Sequence, residues 1–160
     1  MTTNKTSFYS SPSSGMTEII EQKRACSYAD YSKQDLSEYV FEYYIQSSKF
    51  DGCILPDELK KIKFECCSFD KTDLRSKYIH EVEFIDCTFD KTDIRTSYFK
   101  DCSFVRCDFI VSDFRDSQLL DTTFIDSKYS STDFRNCTFT KIEFTEEEAK
   151  ECDLRDIIII

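Results

Sequence analysis

Residues 64–83 read FECCSFDKTDLRSKYIHEVE, and residues 84–103 read FIDCTFDKTDIRTSYFKDCS. In both segments an apolar residue opens every group of five, and this spacing continues without a gap through twenty positions. With 40% apolar residues in the chain, twenty hits in twenty have a chance probability on the order of 10⁻⁸. The central apolar positions are Phe64, Phe69, Leu74, Ile79, Phe84, Phe89, Ile94, Phe99, Phe104, Phe109, Phe114, Leu119, Phe124, Tyr129, Phe134, Phe139, Phe144, Ala149, Leu154 and Ile159.

A period of five fits neither an ordinary helix nor an ordinary strand. Five residues of α-helix advance about 500°, so the apolar side chains would scatter around the helix and bury nothing together. Five residues of strand is an odd number, so successive apolar side chains would point to opposite faces. The spacing therefore predicts a chain that bends every five residues and keeps one side chain of each five inward.

A second period, of twenty residues, gives the number of sides in each coil. Thr72-Asp73-Leu74-Arg75 recurs four times at intervals of twenty residues, which is four groups of five. Residues twenty apart are therefore expected to stack, in coils with four short sides. At about 4.8 Å between strands, five coils extend roughly 24 Å along the axis. The recurrences are Thr92-Asp93-Ile94-Arg95, Ser112-Asp113-Phe114-Arg115, Thr132-Asp133-Phe134-Arg135 and Cys152-Asp153-Leu154-Arg155.

The residue two before each central position is usually small, and we expect it to point inward as well. The large side chain would fill the middle of the coil and the small one the corner, with the other three residues facing water. The small residues are Cys67, Thr72, Cys87, Thr92, Ser97, Cys102, Cys107, Ser112, Ser117, Thr122, Ser127, Thr132, Cys137 and Cys152.

These units resemble a known family. Cys67-Ser68-Phe69-Asp70-Lys71 and Cys107-Asp108-Phe109-Ile110-Val111 are similar to the pentapeptide-repeat consensus, roughly A-[DN]-[LF]-x-x, and the resemblance covers residues 62–160. It implies an all-β fold, a right-handed quadrilateral parallel β-helix with about 20 residues per coil. The chain departs from the consensus by using Cys, Ser and Thr in place of Ala. It also has no Gly or Pro from Asp57 onward, which leaves the corner turn types unassigned.

The remainder of the chain is expected to differ from the coil. Residues 1–15 are rich in Ser and Thr and are predicted to be a disordered tail. Residues 16–61 are predicted to form a cap that is partly helical or irregular. Within it, residues 28–55 fit either a degenerate first coil or an amphipathic helix through 34–47. Pro56 at a first helical position predicts a short helical insertion over 56–61. The apolar end, Ile157–Ile160, predicts either an end-to-end homodimer or further sequence beyond it.

Composition excludes several classes of protein. No run approaches the roughly 20 apolar residues of a membrane span, and the N-terminus lacks the basic start and apolar core of a secretory signal. A cytoplasmic location is expected by default. Nine cysteines and one histidine occur without the spacing of a metal site. We therefore predict free, buried thiols, no metal, no cofactor and no catalytic residue.

Charge is concentrated in the coil. Residues 64–160 carry 22 acids and 13 bases, a net of −9, out of −10 for the chain. This balance argues against direct binding of nucleic acid, which needs a basic stripe. Two outward surfaces are candidates for binding a partner. The first is an acidic surface on one side of the coil, where six acids occur with a single base, Arg106. The acids are Glu65, Glu83, Asp86, Asp126, Glu143 and Glu146. The second choice is the face of Asp93, Arg95, Asp113, Arg115, Asp133 and Arg135, which is better explained as a solvated charge ladder that fixes the register.

Two functional hypotheses follow, both non-catalytic. The family that the chain resembles includes acidic proteins of the Qnr and bacteriocin-immunity type. These proteins engage DNA gyrase or topoisomerase IV where duplex DNA would lie. It therefore implies a DNA mimic that modulates or protects such an enzyme. The alternative is a generic scaffold or effector module that binds another protein through a flat stacked face.

Overall fold

The computed structural model describes residues 22–142 and 144–160. These residues form short parallel strands and one helix. In chain order the elements are β1 (Arg24–Ala25), β2 (Val40–Phe41), β3 (Tyr44–Gln46), β4 (Glu58–Lys60), β5 (Lys63–Glu65), β6 (Tyr78–His80), β7 (Glu83–Ile85), β8 (Tyr98–Lys100), β9 (Ser103–Val105), β10 (Gln118–Leu120), β11 (Thr123–Ile125), β12 (Thr132–Asp133), β13 (Thr138–Phe139), α1 (Glu146–Glu151), β14 (Cys152–Asp153) and β15 (Ile158–Ile159).

The strands stack as a parallel solenoid of about seven coils of roughly 20 residues, which confirms the predicted fold class. One side is a five-stranded sheet in the order β11-β9-β7-β5-β3, and another is a six-stranded sheet in the order β15-β13-β10-β8-β6-β4. Phe64 pairs with Phe84, and Phe84 with Phe104, so the register is twenty residues per coil. The other two sides are joined mainly by single bridges, such as Asp73 to Asp93.

The corners are built from left-handed residues other than glycine. Twenty described non-glycine residues have positive φ, including Lys71 at 58° and Asp101 at 53°. Where the Thr72 N–H donates to the Phe69 carbonyl (3.2 Å), positive φ at the third residue is the mark of a type II turn. Each such residue costs about 1 kcal/mol. Stacking offsets this cost, because the Lys71 N–H donates to the Asp90 carbonyl of the next coil at 2.8 Å.

The core is a set of stacked aromatic columns along the axis. The Phe104 ring stacks on Phe84 and Phe124, with ring centroids 4.9 and 5.0 Å away, and meets Phe109 edge-on at 5.2 Å. Phe104 is 1% exposed. Because each fully buried large apolar side chain contributes about 1.5–3 kcal/mol, these columns supply most of the stabilisation of the coil.

The small inward residues join one coil to the coil before it. The Thr92 hydroxyl donates to the Phe69 carbonyl at 2.8 Å, and the Ser117 hydroxyl donates to the Ile94 carbonyl at 2.8 Å. The Cys137 thiol donates to the Phe114 carbonyl at 2.9 Å in the same way. Ala could not make this bond. The departure from the family consensus therefore adds a buried hydrogen-bond column, each bond worth about 1 kcal/mol.

The segment before residue 62 differs from expectation. Glu58–Lys60 is strand β4, paired with β6, so the helix predicted over 56–61 is wrong. Leu59 is buried in the inward column, and this tertiary pairing outweighs the local preference of Pro56 for a helix start. Residues 34–47 contain strands β2 and β3 rather than an amphipathic helix. Leu55 and Leu59 are four residues apart instead of five, so Ile45 pairs with Phe64 at a spacing of nineteen residues instead of twenty. The predicted tail, 1–15, lies outside the described residues.

The coil is interrupted near its C-terminal end by α1. Thr145 caps this helix: its hydroxyl accepts from the Glu148 N–H, and the Glu148 carboxylate accepts from the Thr145 N–H. Three acids in the first turn also favour the positive end of the helix dipole. Ala149 is consequently exposed on α1, and its predicted inward position is wrong. In the described part of the chain, no helix is both long and apolar enough to cross a bilayer.

Candidate functional site

The face chosen second from the sequence forms a continuous Asp–Arg ladder. Arg95 binds Asp93 of its own coil through Nε (2.8 Å) and Nη2 (2.7 Å), and its Nε lies 3.6 Å from Asp113 of the next coil. Arg115 repeats this arrangement with Asp113 and Asp133. The full ladder comprises Asp73, Arg75, Asp93, Arg95, Asp113, Arg115, Asp133, Arg135, Asp153 and Arg155. Five acids meet five bases, so the ladder neutralises its own charge.

Guanidinium groups of the ladder lower the pKa of neighbouring carboxyl groups. Hydrogen bonds from the Arg95 side chain lower the pKa of the Asp93 carboxyl below its usual value. Hydrogen bonds from Arg155 lower the pKa of Asp153 to about 2. Each carboxylate of the ladder is already engaged by an arginine within the coil.

The structure brings only part of the predicted acidic surface together. Glu83 begins β7, and Asp86 and Asp126 occupy corner positions that follow β7 and β11 of the five-stranded sheet. Glu146 lies in the first turn of α1 instead of on a strand. Glu143 lies outside the described residues. The six acids therefore do not form one face in the described part of the chain.

Some of these acids are already paired. Arg106 binds Asp86 through both Nε and Nη2, each at 2.7 Å, and Glu65 accepts a hydrogen bond from the Tyr44 hydroxyl. Lys63 begins β5 on the same sheet, with its Nζ 5.7 Å from the centroid of the Tyr44 ring. Lys63 is therefore a second base beside these acids, in addition to Arg106, and it was not included when the charges were counted from the sequence. The sheet is thus less acidic than the sequence count suggests.

A column of acids that was not predicted from the sequence lies at the corner that precedes this sheet. Glu81, Asp101 and Asp121 have φ between 49° and 54°, occur at intervals of twenty residues and are exposed. The His80 Nε2 lies 3.2 Å from Glu81 and 3.5 Å from Asp101. Sorting charges by the side of the coil obscured this column, because it placed these residues on the preceding side, that of Ile79, Phe99 and Leu119. The twenty-residue period of the corner position was the signal that could have found it.

The two corners that border the five-stranded sheet carry five acids and one base, a net of −4, and Lys61 lies 3.6 Å from the first of these acids, Glu81. We call Glu81, Asp101 and Asp121 the first acidic corner, and Asp86, Arg106 and Asp126 the second acidic corner. Residues 64–160 hold 22 acids and 13 bases. Removing the five acids and five bases of the ladder leaves 17 acids and 8 bases, still a net of −9. The excess charge consequently lies outside the ladder.

The described residues provide little for catalysis or metal binding. They contain no group of three or more His, Cys, Asp or Glu side chains placed to hold a metal ion. All nine cysteines are free. Burial raises the pKa of the Cys102 thiol to about 11 and that of the Cys137 thiol to about 12. These buried thiols are protonated at neutral pH and are poor nucleophiles.

Comparison with known proteins agrees with this architecture. Residues 97–159 match the family model for the pentapeptide repeat region. This segment of the chain is therefore a pentapeptide-repeat region. Its structure is similar to that of the pentapeptide-repeat protein Rfr23 from the cyanobacterium Cyanothece 51142, with a TM-score of 0.53 and 8% identity, over 87% of this chain and 91% of that one. At this identity the likeness concerns the fold alone.

A more distant similarity is to QnrB1, a plasmid-mediated fluoroquinolone resistance protein. The TM-score is 0.36 and the identity 13%, over 86% of this chain and 89% of QnrB1. No curated protein sequence matches the chain. The partner of this solenoid must therefore be inferred from its own surface.

Proposed function

We propose that this solenoid is a non-catalytic protein-interaction module that binds a basic, DNA-binding surface of another protein. The observation that carries the proposal is the pair of acidic corners beside the five-stranded sheet. Like charges stacked about 4.8 Å apart repel one another, and the Asp–Arg ladder neutralises this repulsion on its own face. The His80 Nε2 lies 3.5 Å from Asp101, and Arg106 binds Asp86 of the preceding coil rather than Asp126. A partner that supplies the missing bases would relieve the repulsion.

Charge density makes competition with duplex DNA the most specific form of this proposal. B-DNA presents one charge per about 1.7 Å, which is about 14 charges over 24 Å. The coil of residues 64–160 carries a net of −9 over a similar length, which is within a factor of two. The family resemblance makes DNA gyrase and topoisomerase IV the first partners to test. The proposal then requires a cytoplasmic location and no direct contact with nucleic acid.

Supercoiling assays test this proposal directly. The purified chain is added to gyrase or topoisomerase IV with and without a fluoroquinolone, and displacement of a labelled duplex from the enzyme is measured in parallel. A DNA competitor releases the duplex and reduces drug-stabilised cleavage, and both effects weaken as salt rises because charge drives the association. Unchanged duplex binding at a large excess of the chain would exclude both enzymes as partners.

A second candidate is a scaffold that binds through a flat stacked face. The stacked Tyr78 and Tyr98 side chains on the six-stranded sheet favour it: their ring centroids are 4.9 Å apart and their planes are nearly parallel. Such a pair offers apolar contact area rather than charge, and Tyr is enriched at protein interfaces. Binding that survives high salt and is lost in Tyr98→Ser would favour this scaffold over the DNA competitor.

End-to-end pairing of two chains is a further part of the proposal. β15 is the last described strand of the six-stranded sheet, and Ile158 and Ile159 on it are 54% and 60% exposed. Burying this apolar strand against a second copy would remove it from water. Light scattering should give a dimer mass for the parent and a monomer mass for Ile159→Lys. A monomeric parent would exclude the pairing.

A further inference from the structure

We propose that a groove beside Phe124 binds an apolar side chain presented by a basic segment of the partner. The inference rests on the proposed function, since it takes the partner surface to be basic. The groove has a volume of about 430 Å³. Phe124, Ile125, Ile142 and Phe144 form its apolar walls, and Asp121 and Lys141 lie at its rim. We call it the apolar groove.

The groove exists because the regular stacking of the coil ends at β11. Phe104 and Phe124 stack with ring centroids 5.0 Å apart and planes 12° apart. The next ring in the column, Phe144, lies 6.4 Å from Phe124 and is tilted by 46°. Phe104 is fully buried, whereas Phe124 is only partly buried. The opening thus exposes an aromatic surface that each earlier coil covers with its own phenylalanine.

An apolar stripe leads across the sheet into the groove. Ile85, Val105 and Ile125 occupy the same outward register on β7, β9 and β11. Ile125 is 48% exposed, at the edge of the groove. An isolated apolar side chain on a surface needs no explanation, but a stripe that continues into a groove is typical of a binding site.

Acids flank the apolar stripe on both sides. Asp101 and Asp121 belong to the first acidic corner, and Asp126 belongs to the second. Lys141 is a base at the rim of the groove, so the surplus negative charge is supplied by the corners. Protein interfaces commonly have an apolar centre surrounded by a charged rim, with most of the affinity in one or two buried anchors. The matching partner carries one large apolar side chain with Lys or Arg on either side.

Three synthetic nine-residue peptides test this match. The first has a central phenylalanine with two lysines on each side, the second replaces the phenylalanine by alanine, and the third replaces the lysines by glutamates. Binding is followed by fluorescence anisotropy and by NMR shifts of the Ile125 methyl groups. Burying a phenylalanine side chain predicts about 10-fold or greater tighter binding of the first peptide than of the second. The glutamate peptide should not bind detectably.

Two matched variants locate the site. Ile125→Thr keeps a β-branched side chain on the strand while removing apolar area from the groove edge, and it should weaken the first peptide several-fold. Ile110→Thr makes the same change on another side of the coil, at a residue that is 43% exposed. It should leave the affinity for the first peptide unchanged. Circular dichroism confirms that both variants are folded.

The outcomes separate this inference from the proposed function. Equal binding of the phenylalanine and alanine peptides, or no effect of Ile125→Thr, would overturn the apolar groove while leaving the acidic corners as a basic-protein site. Binding of the glutamate peptide as tightly as the lysine peptide would overturn the basic partner. No binding of any peptide would contradict the groove, and duplex displacement from gyrase would still test the proposed function separately.

Discussion

Arg115 holds Asp113 of its own coil at 2.6 Å, and its Nε lies 3.5 Å from Asp133 of the next coil. One side chain therefore satisfies a carboxylate on its own level and reaches another on the level above. Repeated at intervals of twenty residues, this relationship turns a column of five like charges into a neutral ladder. The ladder helps to fix the register between coils. Its charges pair with one another within the coil, so this face is a weaker candidate for binding a partner than the acidic corners.

The ladder should make stability depend on pH in the acid range. The Arg95 hydrogen bonds lower the folded-state pKa of Asp93, and those of Arg75 do the same for Asp73. A lowered folded-state pKa gives stability that is present above the unfolded value, near 4, and is lost as pH falls through the folded value. We expect the thermal midpoint to fall between about pH 4 and pH 2. The Arg75→Gln/Arg95→Gln double variant should show a flatter profile, and an unchanged profile would contradict this role of the ladder.

The aromatic columns should dominate stability. Phe104→Ala removes a ring stacked between Phe84 and Phe124, and the resulting cavity should cost about 3–5 kcal/mol. Lys100→Ala changes an outward position on β8 and should stay within about 0.5 kcal/mol. Chemical denaturation measures both. Similar midpoints for the two variants would be incompatible with the stacked core.

The nine thiols should be free and differ widely in reactivity. Cys66 is exposed, whereas Cys87 and Cys137 are buried, and burial raises the pKa of both buried thiols. Alkylation of the folded protein at neutral pH should therefore modify Cys66 first. Alkylation after unfolding without reductant should modify all nine, as counted by mass spectrometry. A Cys67–Cys87 crosslink recovered after thiol trapping would refute this prediction.

The capping box of Thr145 should control α1. Thr145→Ala removes the hydroxyl that accepts from the Glu148 N–H, and loss of such a cap costs about 1 kcal/mol. Hydrogen exchange should speed up in residues 146–151, while residues 98–105 keep their protection. Thr145→Ser, which retains the hydroxyl, is the matched control. Equal exchange in both variants would show that the cap does not hold the helix.

Much of the fold could be predicted because one repeated geometry determines it. The inward positions of Phe64 through Leu119 follow from the five-residue period alone, and the pairing of Phe84 with Phe104 follows from the twenty-residue period. The failures occur where a local preference and the repeat compete. At Glu58–Lys60 the repeat prevails over the helix preference of Pro56, because pairing with β6 buries Leu59. At residues 146–151 the local preference for a helix prevails over the five-residue repeat.

The candidate site was harder to predict from the sequence than the fold. The sequence shows which charges stack but not which ones are paired, so it could not reveal that Arg106 holds Asp86 with two bonds. The first acidic corner was missed because its residues follow the strands of the six-stranded sheet in the chain and were counted with that side, although they also border the five-stranded sheet. The apolar groove depends on the tilt of Phe144 relative to Phe124, and no spacing of residues encodes that tilt.

Two matched triple variants address the central claim, that the acidic corners engage a basic partner. Asp101→Lys/Asp121→Lys/Asp126→Lys changes the net charge by +6 at the corners. Lys is compatible with these left-handed positions, since Lys61 and Lys91 already occupy equivalent ones with φ of 55° and 54°. The control, Glu38→Lys/Asp116→Lys/Asp156→Lys, makes the same change at exposed residues elsewhere.

The decisive measurement is displacement of labelled duplex from gyrase or topoisomerase IV by each folded variant, at low and at physiological salt. The proposal predicts that the corner variant loses displacement by at least about 100-fold, since three reversed charges oppose a basic surface, whereas the control retains most of the parental activity. Equal displacement by both variants, or equal loss in both, would contradict recognition through the acidic corners.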